Sequence, residues 1–296
     1  MLVTIKKYAI VFGVFLFLSF AFITHSVHAL QLSPIFFDLS GKPGESVTRS
    51  ITLTNDTNSP IILDYQKGIF MAGVQGDGKP KLLPQPTDTI TIADWITIPT
   101  PTVTLQPGGV IDAPYTITVP FDAPTGGHYA WISWNEVAKP IVGTGVAVAG
   151  GIAAQILFTV EGDEQNKLIL QSFQTKSGLT SFEKLPIVFV ANIFNEGNVH
   201  QKPTGHLLIK NMFGSPVASI PFNEKENSGN VLPKEGRAYE VAWDKGFAFG
   251  KYSAMLSARY NDETPLLTSQ IDFWVLPKAL VVVSLLILAI IIGAIA

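Results

Sequence analysis

Apolar and polar side chains alternate with a period of two along much of the chain. Tyr115, Ile117 and Val119 are separated by threonines. Tyr239, Val241 and Trp243 alternate, as do Tyr252, Ala254, Leu256, Ala258 and Tyr260. Ile90 with Ile92, and Ile96 with Ile98, repeat the pattern. A period of two sets one side of an extended strand on a core and the other in water. No convincing helical pattern occurs between Leu30 and Val275. Turn-forming groups punctuate the runs: "GKPGES", "NDTNSP", "QPGG", "DAPTGG", "NEGN" and "PKEG". Short strands with frequent turns predict an all-β chain of immunoglobulin-like sandwiches.

A second regularity predicts how many. "LTNDTNSP" (Leu53 to Pro60), "LQPGG" (Leu105 to Gly109), "YTITV" and Gly127-His-Tyr129-Ala130 occur in that order. "IFNEGN" (Ile193 to Asn198), "LPKEG" (Leu232 to Gly236), "YEVAW" and Gly250-Lys-Tyr252-Ser253 follow in the same order. Spacing varies while order is kept, as loop insertions do to a repeated fold. The charge-dense "EGDEQNK" (Glu161 to Lys167) marks the boundary. The expectation is two tandem sandwiches, residues 30–162 and 163–275.

The two ends of the chain break the alternation. Lys6 and Lys7, the apolar run Tyr8 to Ile23, and small residues at Val27 and Ala29 read as a signal peptide over residues 1–29. From Ala279 to Ala296 there is no charge, and Ser284 is the only polar side chain. As a helix, that run would reach about 27 Å, near the hydrocarbon thickness of a bilayer. Residues 276–296 are therefore expected to be a transmembrane helix. The expected localisation is the cell membrane, single-pass, with both β domains on the extracellular side. The chain has no cysteine, so each domain must stand on its own core. Loss of Lys6 and Lys7 with the signal takes the net charge from −3 to −5, which disfavours nucleic acid as a partner.

The chemistry-bearing residues form no recognisable constellation. After residue 29 the histidines are His128, His200 and His206, and none lies in a metal-binding pattern. His200 and His206 could pair, but zinc requires three or four ligands. Asp94, Asp122, Asp244 and Asp262 are scattered beside turns. No nucleophile elbow or phosphate loop occurs. The expectation is a non-enzyme without cofactor or metal. "VLPKAL" lacks the threonine-glycine of a sorting signal, and the sequon at Asn55 lies in a turn that explains its asparagine.

"SPIFFDLSGKPGESVTRSITLTNDTNSPIILDY" and "DWITIPTPTVTLQPGGVIDAPYTITVPFDAPTGGHYAWI" resemble the first extracellular domain of the WxL-interacting proteins of Gram-positive bacteria. The resemblance covers most of Leu32 to Gly162. "FNEGNVHQKPTGHLLI" and "GNVLPKEGRAYEVAWDKGFAFGKYSAML" are a looser match to that family's second sandwich. The resemblance implies binding: peptidoglycan or another cell-wall polymer for the first domain, and surface proteins, WxL-type or host, for the second. Unlike that family, this chain carries no basic tail after its last apolar run. Candidate contacts are Tyr129, Trp131 and Trp134 on one strand, and Ile141, Val146 and Val148 in a glycine-rich apolar hairpin. Tyr129, Trp131 and Ser133 are expected on one side of that strand, with Ala130, Ile132 and Trp134 on the other. The expected function is a membrane-anchored adhesion or scaffold protein. Two alternatives stand beside it: an exported assembly chaperone that donates or accepts a strand, and a non-catalytic subunit of an envelope enzyme.

Overall fold

The computed structural model describes residues 29–73, 80–137, 151–224, 229–244, 246–261 and 266–278, with 286, 287, 290 and 293. In the first half, β1 (Leu30–Ser33), β3 (Ser46–Asn55), β8 (Val110–Thr118) and β6 (Ile96–Thr97) form one sheet in that order. The opposing sheet runs β2 (Phe36–Gly41), β10 (Gly151–Val160), β9 (Gly126–Glu136), β4 (Ile61–Ala72) and β5 (Pro80–Pro84), and β7 (Thr102–Leu105) also pairs with β4. The second half repeats this plan. Here β11 (Leu168–Thr175), β13 (Ile187–Asn195) and β16 (Gly236–Trp243) face β12 (Ser181–Phe182), β18 (Leu267–Val275), β17 (Gly250–Arg259), β14 (Thr204–Asn211) and β15 (Pro216–Phe222). In both halves a short second strand pairs in parallel with the last: β2 with β10, and β12 with β18.

The alternation seen in the sequence is what closes each sandwich. Tyr115 and Ile117, then Ala130, Ile132 and Trp134, point between the sheets of the first half. Tyr252, Ala254, Leu256 and Ala258 do the same in the second. The two cores are separate clusters, one within residues 32–160 and one within 168–275.

The repeated asparagine is a buried clamp in each half. Asn55 and Asn195 end β3 and β13 and are wholly inaccessible. Nδ2 of Asn55 donates to the carbonyls of Ser59 and Leu105, at 2.9 and 3.0 Å, while Oδ1 accepts from Thr57 N. Nδ2 of Asn195 donates to Val199 O and Val231 O, at 2.8 and 2.9 Å, while Oδ1 accepts from Gly197 N. Each side chain thus closes its own turn and ties it to a distant loop.

Three expectations change. Ile92–Trp95 is not strand but a single helical turn, α1, with Asp94 accepting the Thr91 N–H at 2.7 Å. That bond holds the Asp94 carboxyl below its usual range. Ile92 is buried and Ile90 is exposed, so their alternation there is incidental. The glycine–aromatic echo is offset by one residue. Gly126 pairs with Val160 and Gly250 with Val275, each at positive φ, which makes His128 the counterpart of Tyr252. Tyr252 turns into its core, and its hydroxyl meets Phe249 N. His128 packs on Trp95 and reaches Pro124 O. Tyr129 therefore faces outward, because a slip of one position reverses every side chain on a strand.

The localisation also requires correction. Among the described residues no helix is long and apolar enough to cross a membrane, so the single-pass reading is not upheld. Most of residues 279–296, on which it rested, and residues 1–28 of the expected signal peptide lie outside the described residues.

Candidate functional site

The outward face of the β2–β10–β9–β4 sheet carries Asp38, Leu157, Tyr129 and Phe70. Alternation gives them this side, since their neighbours fill the core. Leu157 and Phe70 are nonetheless buried, because the second sandwich covers them. Its contribution comes from the β13–β14 connection, with Asn198 and His200, from Glu235 just before β16, and from Arg237 near the start of β16.

Polar contacts among the described residues join the halves. Gly127 N donates to Asn198 O at 2.8 Å. His200 Nε2 lies 2.9 Å from Asp38 Oδ1, and the histidine side chain is almost fully covered. Its Nδ1 lies 3.5 Å from the Tyr129 hydroxyl, with the rings edge to face at 5.7 Å. The Glu235 carboxylate accepts the Ala72 N–H, while burial raises its pKa. Gly126 makes this approach possible. Its φ is +117°, and a Cβ there would stand 2.7 Å from Asn198 O.

The series Tyr129, His200, Asp38 has the form of a proton relay but not its electrostatics. Burial pushes the Tyr129 phenol well above its ordinary value, so it stays protonated. An activated nucleophile needs the opposite shift. The series positions one domain on the other.

Beside it lies a cavity of about 370 Å³. Its apolar lining includes Phe36, Phe70 and Leu157 from the first sandwich and Val231 and Leu232 from the second. Arg237 borders it, donating to Asn230 O and lying 5.3 Å over the Tyr239 ring. Through Gln155 the cavity adjoins the end of the β2–β10 pairing. β2 pairs with β10 only over Gln155–Val160. Over Gly151–Ala154, no described strand pairs with that side of β10, although β1 passes close to β10. Gln155 N donates to Ile35 O across the β2 side. Backbone groups alternate in direction along a strand, so the N–H and C=O of Gly151 and Ala153 also face the open side.

The residues proposed from sequence are dispersed. Trp134 fills the first core. Trp131 lies across Gly68, whose missing side chain makes room, and its Nε1 donates to Leu83 O at 2.9 Å. Tyr129 is at the domain junction. Ile141, Val146 and Val148 lie outside the described residues. His200 and His206 serve different partners, Asp38 and Glu224. Sequence reasoning did not single out Asp38, Leu157, Glu235 or Arg237. No local signal marks them, because the cleft exists only once two sandwiches meet.

No family model matches this chain, and no curated protein matches it. Several solved structures are similar in fold. The class 5 fimbriae chaperone CfaA is 13% identical, covers 83% of this chain and 99% of its own, and gives a TM-score of 0.42. The E. coli chaperone DraB is 11% identical over 83% and 97%, with a TM-score of 0.39. A PapD-like domain of human CEP192 is 11% identical over 47% and 95%, with a TM-score of 0.31. These likenesses concern the fold, and no site residue is transferred from them.

Proposed function

We propose that this protein is an exported recognition protein of the assembly-chaperone kind. It binds an extended segment of a partner protein by strand addition. The observation that carries the reading is the stretch of β10 at Gly151–Ala154, with which no described strand pairs on the β2 side and whose neighbour Gln155 lines the cavity. Such edges pair with added strands unless they are blocked. Two other edge strands carry prolines: β15 has Pro216 and Pro221, and β5 begins and ends with proline. Recognition of a sugar polymer is less favoured, because Trp131 and Trp134 are engaged within the first sandwich.

The substitution Ala153→Pro tests this. It removes an N–H that faces the open side and leaves the β9 ladder intact. On an array of extended apolar peptides, the full chain should retain a subset. The A153P variant should lose at least about tenfold in affinity, since more than one main-chain bond is disturbed. Its melting temperature should hold. Equal binding by both proteins, or retention only on purified peptidoglycan, overturns the proposal.

A further inference from the structure

The cavity beside the domain junction has a mouth as well as walls. Phe70 and Leu157, both buried, line it from the first sandwich, and Val231 and Leu232 line it from the second. Ile35 and Phe36 line it where it opens, at 50% and 41% exposure. The charged groups of the lining are already engaged: Asp38 with His200, Glu235 with the Ala72 N–H, Arg237 with Asn230 O, and Lys202 as well. What an occupant gains here is therefore mainly the removal of apolar surface from water.

The register of β10 fixes how an added segment meets this cavity. Ile152, Ala154, Ile156 and Phe158 face the first core, so Ala153, Gln155 and Leu157 face the other way. Phe36 pairs with Gln155, and both line the cavity. A residue placed opposite Ala153 on an added strand points to this same side. Gln155 is then its diagonal neighbour, about 7–8 Å away, a step that long or aromatic side chains span and short ones do not. We propose, on the basis of strand addition at β10, that the cavity is a specificity pocket: it takes one large apolar side chain, aromatic or leucine-like, from the residue opposite Ala153. Main-chain bonds along Gly151–Ala154 supply binding to many extended segments, and the pocket selects among them. At about 370 Å³ the space admits a side chain but not a further strand.

The test uses the full chain and a labelled host peptide rich in threonine and valine, with binding read by fluorescence anisotropy. One guest residue, phenylalanine, leucine, alanine or glutamate, is moved along the host a position at a time. At one position phenylalanine or leucine should bind about 10- to 100-fold more tightly than alanine, and glutamate no better than alanine. Phe36→Ser removes a partly exposed wall of the mouth and should fold normally. It should erase most of the preference at that position while lowering the affinity for the alanine guest far less, a coupling that general loss of structure does not produce. A153P should weaken every guest. Equal binding of all guests, with A153P still weakening them, overturns the pocket and leaves strand addition standing. Binding of no guest, or binding that A153P does not weaken, overturns both. A preference for glutamate overturns the pocket, as does self-association of the full chain that Phe36→Ser abolishes, since a second copy would then fill it.

Discussion

Replacing Asn195 by alanine removes three hydrogen bonds from an inaccessible site. Val231 O keeps a second donor, Gln201 N at 3.1 Å. Among the described residues Val199 O and Gly197 N have no other hydrogen-bond partner, so the variant leaves a buried carbonyl and a buried amide unsatisfied. Each such group costs about 1–3 kcal/mol, and the lost bond to Val231 adds about 1 kcal/mol. The expected loss is about 4 kcal/mol, a large share of the 5–15 kcal/mol typical of a folded domain. For a domain of roughly 100 residues that lowers the midpoint by roughly 15–30 °C. Asn195→Asp should be no better, since it restores the acceptor for Gly197 but sets a carboxylate against two carbonyls. The assay is calorimetry with urea unfolding followed by circular dichroism. Because the cores are separate, Asn195→Ala should move the transition of the second sandwich, and Asn55→Ala that of the first. A loss below about 1 kcal/mol for either variant, with an unchanged urea dependence, refutes the clamp.

Two further predictions follow from the junction and its neighbour. Burial holds the His128 imidazole below its ordinary value, so the unfolded chain takes up a proton first as pH falls. Its stabilisation is present above the unfolded value near 6.5 and is lost as the pH drops below it. His128→Gln should flatten the stability of the first sandwich between about pH 5 and 7, measured by urea midpoints, and an unchanged slope counts against this burial. Gly126→Ala places a methyl group against Asn198 O at positive φ and should cost about 1–3 kcal/mol. It should loosen the domain junction, seen as faster proteolysis of residues 161–167, and an unchanged cleavage rate would contradict the observed approach.

Alternation and turns were enough to read an all-β chain of packed sheets, because both act over a few residues. Tyr115, Ile117, Ile132 and Trp134 are buried for reasons visible within their own strands. Asn55 and Asn195 were visible as an echo, and their three-bond clamp explains why the same residue ends both strands. Tertiary structure alone decided the rest. Tyr129 and Tyr252 share a local sequence but face opposite ways, since strand pairing, not neighbouring residues, sets register. Asp38 meets His200 across 162 positions, and β10 has a stretch that no described strand pairs with on the β2 side because β2 stops short of it. A single strand's periodicity tells which side chains leave water together; which surfaces then cover one another depends on contacts between distant segments that no local pattern encodes.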